Sequence, residues 1–126
     1  MKNYQLYGMG AALVDTEIQV SDKELDQLGV EKGLMTLVDP ERRAYLLEQL
    51  KDHLVHSQRA SGGSAGNTVI AASYFGAKAF FSGKVADDDN GHFYMRDMSS
   101  AGVATPKVEF QQGITGKCLI LITPDA

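Results

Sequence analysis

Leu46, Leu47, Leu50 and Leu54 recur at helical spacing along the segment opened by Asp39-Pro40, which predicts an amphipathic helix with one core-facing stripe. Asp39 is suited to cap that helix, and Pro40 to stand at its first position. Upstream, Thr16–Val20 alternates polar and apolar residues, as a strand with one wet face does. Gly33–Val38 and Val108–Gln112 read as further strands of the same half-polar kind. Ser21-Asp-Lys-Glu24 forms a capping box for a short helix that runs to about Leu28, with Gly29 as its stop. Thr68–Phe75 is apolar on nearly every side and predicts a buried helix. Tyr4–Gly10, Ala79–Val85 and Lys117–Thr123 read as strands, and His92–Ala101 as a helix entered from the polar turn Asp87–Gly91. Strands alternating with helices predict an α/β layer architecture, with the half-polar strands forming an auxiliary sheet beside a buried one.

Composition narrows the function classes. A chain of 126 residues, 44% apolar and 22% charged, has the size and make-up of one ordinary folded domain. Its formal charge of −4, with Lys and Arg scattered, supplies neither the basic stripe that nucleic acid requires nor a footing on an anionic membrane. No run approaches the ~18 apolar residues of a membrane span. The Met-Lys-Asn-Tyr-Gln start has no apolar signal core. Cys118 is the single cysteine and cannot form an internal disulfide, which fits a reducing, cytoplasmic compartment.

The candidate chemistry gathers around Arg59-Ala-Ser-Gly-Gly-Ser-Ala-Gly-Asn67. Glycines directly before a helix let backbone come close to a ligand, and the helix start behind them offers free N–H groups. Asn67 adds a side chain that both donates and accepts. Asp15 stands just past a glycine-ended strand, where α/β folds gather ligands. Asp87-Asp-Asp89 lacks any calcium-loop spacing and is better read as helix-entry acids. His53 and His56, three apart, have no cysteine or carboxylate cluster to complete a metal site. Gly8-x-Gly10 lacks the third glycine of a dinucleotide fingerprint, since Leu13 stands there, and no Gly-Lys-Ser/Thr makes a P-loop.

Taken together, Gly62-Gly-Ser-Ala-Gly-Asn67, Gly76 and Gly83-Lys-Val-Ala-Asp-Asp-Asp-Asn-Gly91 resemble the N-terminal signature of the ribokinase/PfkB family of sugar and nucleoside kinases. Gly8-Met-Gly-Ala-Ala-Leu-Val-Asp15 is similar to that family's first strand and substrate-binding aspartate, and Thr115–Asp125 to its lid-to-core strand. The Gly-Gly-Ser opening leans toward the adenosine-kinase-like branch. The resemblance implies a ribokinase-like three-layer α/β core with a small β-sheet lid, whose lid strands would lie near residues 12–20, 34–38 and 108–120. It implies ATP-dependent, magnesium-assisted phosphoryl transfer to a hydroxyl of a pentose or nucleoside. Asp15, Gly62, Gly63 and Asn67 would hold that substrate, and Met35 would cover it from the lid.

Two positions depart from the family pattern. Ala11 or Ala12 stands where many members have asparagine, and Ala86 where the signature has glycine. The Asp-Thr-x-Gly-Ala-Gly-Asp type motif, which carries the family's catalytic base and anion hole, does not occur here. The expectation is therefore residues 1–126 as the N-terminal, substrate-side part of a kinase, with no catalytic residue of its own and no activity alone. The competing expectation is a non-catalytic sugar- or nucleoside-binding module that forms a homodimer through a lid or edge strand.

Overall fold

The computed structural model describes residues 3–107 and 109–125. In chain order the elements are β1 (Leu6–Met9), β2 (Leu13–Gln19), α1 (Asp22–Gln27), α2 (Pro40–Gln49), α3 (Lys51–Leu54), β3 (Gln58–Gly62), α4 (Ser64–Tyr74), β4 (Ala79–Ser82), α5 (Asp89–Ser100) and β5 (Gly116–Ile122). They divide between two units. The first holds the residues up to Asp15 and Arg59–Cys118, the second Thr16–Gln58 and the residues from Leu119 onward.

In the first unit β1 and β4 pair in parallel, with Leu6 opposite Ala79 and Met9 opposite Ser82. Ala104 extends this sheet past β4, accepting from Phe81 N–H at 2.8 Å and donating to the Ala79 carbonyl at 3.0 Å. Helix α4 packs on both strands. Val14, Val69, Phe81, Tyr94 and Met98 meet in one buried cluster. Tyr94 and Met98 are four apart on α5, so one face of that helix supplies both. Burying side chains of this size stabilises by roughly 1.5–3 kcal/mol each before the entropy of ordering them is subtracted.

The second unit has its own core of Ile18, Val20, Leu25, Leu28, Leu46 and Leu50, with Leu54, Leu119 and Leu121 half-buried against it. Local chemistry sets its helices. The Ser21 hydroxyl accepts Glu24 N–H at 3.2 Å while the Glu24 carboxylate accepts Ser21 N–H at 2.8 Å, so the capping box forms in full. Asp39 caps α2 by accepting Arg42 N–H at 2.7 Å, with Pro40 in its first turn. The single helix expected through Leu54 is broken at Leu50, where ψ turns to 5°, yet the Leu46 and Leu50 stripe still faces the core.

A three-stranded sheet has the order β3-β2-β5. Here several expectations need correction. Residues 34–38, expected as a strand, have no regular structure, and Leu37 is 95% exposed. Alternation marks a strand only where a neighbour takes up its backbone bonds, and among the described residues none pairs with this segment. Of the strand expected at Val108–Gln112 only an isolated bridge between Gln111 and Ala86 is present, and Val108 lies outside the described residues. Strand β3 runs into the glycine-rich stretch as far as Gly62, where no strand is expected, and α4 begins four residues earlier than expected, at Ser64. Helix α4 is not buried all round: Gly66 and Val69 are buried, while Tyr74 is 75% exposed. One face of α4 is enough to cover the narrow β1–β4 pair.

Candidate functional site

The site is built where β3 ends and α4 begins. Gly63 turns the chain with φ 85°, a conformation that favours glycine, and serves as N-cap of α4 without any side chain to satisfy the helix start. A side chain on Gly63 would also run into the Ala11 carbonyl. One residue earlier, Gly62 lies flat against the Asp15 side chain, whose carboxylate fills the space that a methyl group there would need. Asp15 is half-buried on β2, the middle strand of its sheet, with β3 on one side and β5 on the other. Alternation along β2 sends Val14 into the core and Asp15 to the opposite face. Asp15 is thus a mid-strand carboxylate, not a residue of the turn after β1.

Asn67 sits in the first turn of α4, where its N–H donates to the Gly63 carbonyl at 2.8 Å. Its side chain is exposed and makes no hydrogen bond among the described residues. Asp15, Gly62, Gly63 and Asn67 are therefore linked in sequence of contact within one unit. Met35 belongs to the second unit, lies in the irregular 34–38 segment and is 89% exposed.

Two residues that sequence reading missed support the glycine turn from below. Tyr94 on α5 is fully buried, and its hydroxyl donates to the Gly62 carbonyl at 3.1 Å. Burial, together with the negative charges of Asp15 and Asp97, pushes the phenol pKa up to about 12. Asp97, one turn further along α5, accepts Ser61 N–H at 3.0 Å. Across β2 from Gly62, burial and the charge of Asp15 push the Cys118 thiol up as well, so it stays protonated. The available signal was a tyrosine within the apolar stripe of a helix, since a buried tyrosine hydroxyl needs a partner.

The three consecutive acids point in three directions. Asp87 meets His92 at 2.8 Å, Asp89 meets Arg59 at 2.6 Å, and Asp88 caps α5 by accepting Gly91 N–H at 2.7 Å. Asp88 also accepts the Thr115 hydroxyl at 2.6 Å and the Thr115 N–H at 2.9 Å. Burial would raise the Asp88 carboxyl, but the bonds from Thr115 and Gly91 and the charge of Lys117 outweigh it and hold it below the usual range. His53 is taken up by Glu24 at 3.0 Å. Among the described residues no three His, Cys, Asp or Glu converge on a point where a metal ion could sit. Nor is any helix there long and apolar enough to cross a membrane.

Residues 33–126 match the pfkB family carbohydrate kinase model. The chain is 32% identical over 92 residues to the 5-dehydro-2-deoxygluconokinase of Halalkalibacterium halodurans, covering 73% of this chain and 26% of that protein. Its fold matches a probable sugar kinase from Rhizobium etli with a TM-score of 0.79 at 31% identity, over 99% of this chain and 37% of the other. It matches the adenosine kinase from Sinorhizobium meliloti with a TM-score of 0.77 at 33% identity, over 97% of this chain and 36% of that one. The chain thus spans between about a quarter and rather more than a third of the length of these relatives.

Proposed function

We propose that this chain, which belongs to the pfkB family of carbohydrate kinases, holds the phosphoryl acceptor of an ATP-dependent sugar or nucleoside kinase. The acceptor in this reading is a hydroxyl-rich pentose or ribonucleoside. The observation that carries it is the packing of the Asp15 carboxylate against the bare backbone of Gly62, beside an uncapped helix start.

The roles follow from that arrangement. An ionised carboxylate accepts hydrogen bonds from two vicinal hydroxyls at once, and such charge-assisted bonds are the strong ones. Gly62 and Gly63 carry no side chains, so a sugar ring can approach the backbone. The Asn67 amide, free to turn, reads a further hydroxyl as donor or acceptor. Fixing the ring in this way orients the attacking oxygen, and positioning, together with charge neutralisation, is most of what a protein contributes to phosphoryl transfer.

ATP is the donor in this reading, and magnesium its companion. Magnesium would arrive with the ATP phosphates and need only one or two protein carboxylates, and none of the residues named here is assigned to it. Charge neutralisation and proton removal therefore lie outside the roles assigned to these residues, and residues 1–126 alone should not catalyse transfer. A cytoplasmic location belongs to the same proposal: Cys118, the single cysteine of the sequence, can form no internal disulfide, which fits a reducing compartment.

The test is transfer of labelled γ-phosphate from ATP by the natural full-length gene product to adenosine, ribose, fructose and 5-dehydro-2-deoxygluconate. Saturable transfer to a ribose-bearing acceptor is the expected result. Absence of transfer to every sugar and nucleoside would overturn the reading.

A further inference from the structure

Helix α5 touches the end of β3 at backbone groups of two adjacent residues, and both contacts come from one face of the helix. Tyr94 donates its hydroxyl to the Gly62 carbonyl, and Asp97 accepts the Ser61 N–H. The two side chains are three residues apart, a spacing that puts them side by side along a helix. The peptide between Ser61 and Gly62 is thereby gripped from both of its neighbouring polar groups. We infer that Tyr94 and Asp97 are positioning residues, which hold the Gly62–Gly63 turn at the distance from Asp15 that acceptor binding requires. This inference rests on the acceptor-site reading given above.

Three observations make the grip more than packing. Gly66, in the first turn of α4, lies so close over the Tyr94 hydroxyl that a methyl group there would overlap it. The same phenol thus abuts both the strand that enters the turn and the helix that leaves it. The Tyr94–Gly62 bond is buried, so water does not readily replace it if the hydroxyl is removed, while the Asp97–Ser61 bond beside it is part-buried. Finally, the phenol stays protonated, and therefore a donor, throughout the physiological range. A displacement of the turn by even ~1 Å is enough to spoil a bound geometry aligned for transfer.

The experiment compares Tyr94→Phe, Asp97→Ala and Asp97→Asn in the natural full-length protein. Phenylalanine keeps the ring in the core and removes only the hydroxyl. Asparagine keeps an acceptor oxygen for Ser61 N–H, whereas alanine does not. Tyr94→Phe and Asp97→Ala should raise the acceptor KM roughly fivefold or more, with the ATP KM within about twofold of wild type, and Asp97→Asn should restore the acceptor KM. In parallel, amide hydrogen exchange of Asn67–Ile70, the first hydrogen-bonded amides of α4, should quicken in Tyr94→Phe relative to the amides of β1 and β4.

Unchanged acceptor KM in Tyr94→Phe and Asp97→Ala, with only a fall in melting temperature, would overturn the inference while leaving the acceptor-site reading intact. If wild-type protein phosphorylates no sugar or nucleoside, that reading fails instead. Hydrogen exchange then decides the grip by itself: selective loosening of Asn67–Ile70 supports it, and uniform or absent change overturns it.

Discussion

The Asp15 carboxylate occupies the place where residue 62 would carry a side chain. A long-range pair of this kind makes the glycine obligatory for a steric reason. Substituting Gly62 with alanine should therefore act on the acid rather than on the turn. The variant should lose acceptor affinity by about tenfold or more, as the carboxylate is pushed from its place, at a stability cost of roughly 1–3 kcal/mol typical of overpacking. Steady-state kinetics beside thermal melting separates the two effects.

Gly63 should respond differently. Its φ of 85° and its contact with the Ala11 carbonyl make Gly63→Ala strained in the backbone itself. Refolding yield and melting temperature should both drop further than for Gly62→Ala. A Gly63→Ala protein as stable as wild type would contradict the turn geometry.

How much of this was legible in the sequence depends on how far the chemistry reaches along the chain. The Ser21–Glu24 box and the Asp39-Pro40 helix start are encoded within four residues, and both form as read. Asp15 and Gly62 were each visible as candidates, but their juxtaposition depends on β2 lying beside β3, and β3 itself was hidden in a serine- and glycine-rich stretch of low strand propensity. Tyr94 and Asp97 went unread because their partners are backbone groups of Ser61 and Gly62, which no pattern of side chains announces. The 34–38 segment shows the opposite failure, an apolar stretch with strand-like composition and no described strand to pair with.

Thr115 and Asp88 give a prediction in acid. Thr115 is buried, accepts Ala86 N–H at 3.0 Å and donates to Asp88 at 2.6 Å. Thr115→Val leaves that amide and that carboxylate short of a partner, for a loss of about 1–3 kcal/mol. Because the Asp88 carboxyl is held lower in the folded chain than in the unfolded one, the unfolded state binds more protons in acid. Its contribution is present above the unfolded pKa and is lost as pH falls through the folded value. Asp88→Asn should accordingly show a shallower fall of melting temperature below pH ~4 than wild type. Parallel acid profiles for the two proteins would refute this.

Tyr94 makes the corresponding prediction in alkali. Its folded pKa of about 12 lies above the unfolded value near 10, so the folded state retains a proton that the unfolded state releases. Stability from this group is complete below pH ~10 and is lost as pH rises toward the folded value. Of the five tyrosines, one should ionise only near the top of a tyrosinate absorbance titration, and Tyr94→Phe should abolish that late step. Its survival in the variant would assign the step to another ring.

The central claim is that Asp15 receives the acceptor's hydroxyls, and Asp15→Ala in the natural full-length protein tests it most directly. The measurement is the apparent KM for the sugar or nucleoside beside the KM for ATP. Loss of charge-assisted bonds worth about 1.5–3 kcal/mol predicts an acceptor KM raised roughly tenfold to a hundredfold, with the ATP KM nearly unchanged. A raised ATP KM with normal acceptor affinity would contradict the account.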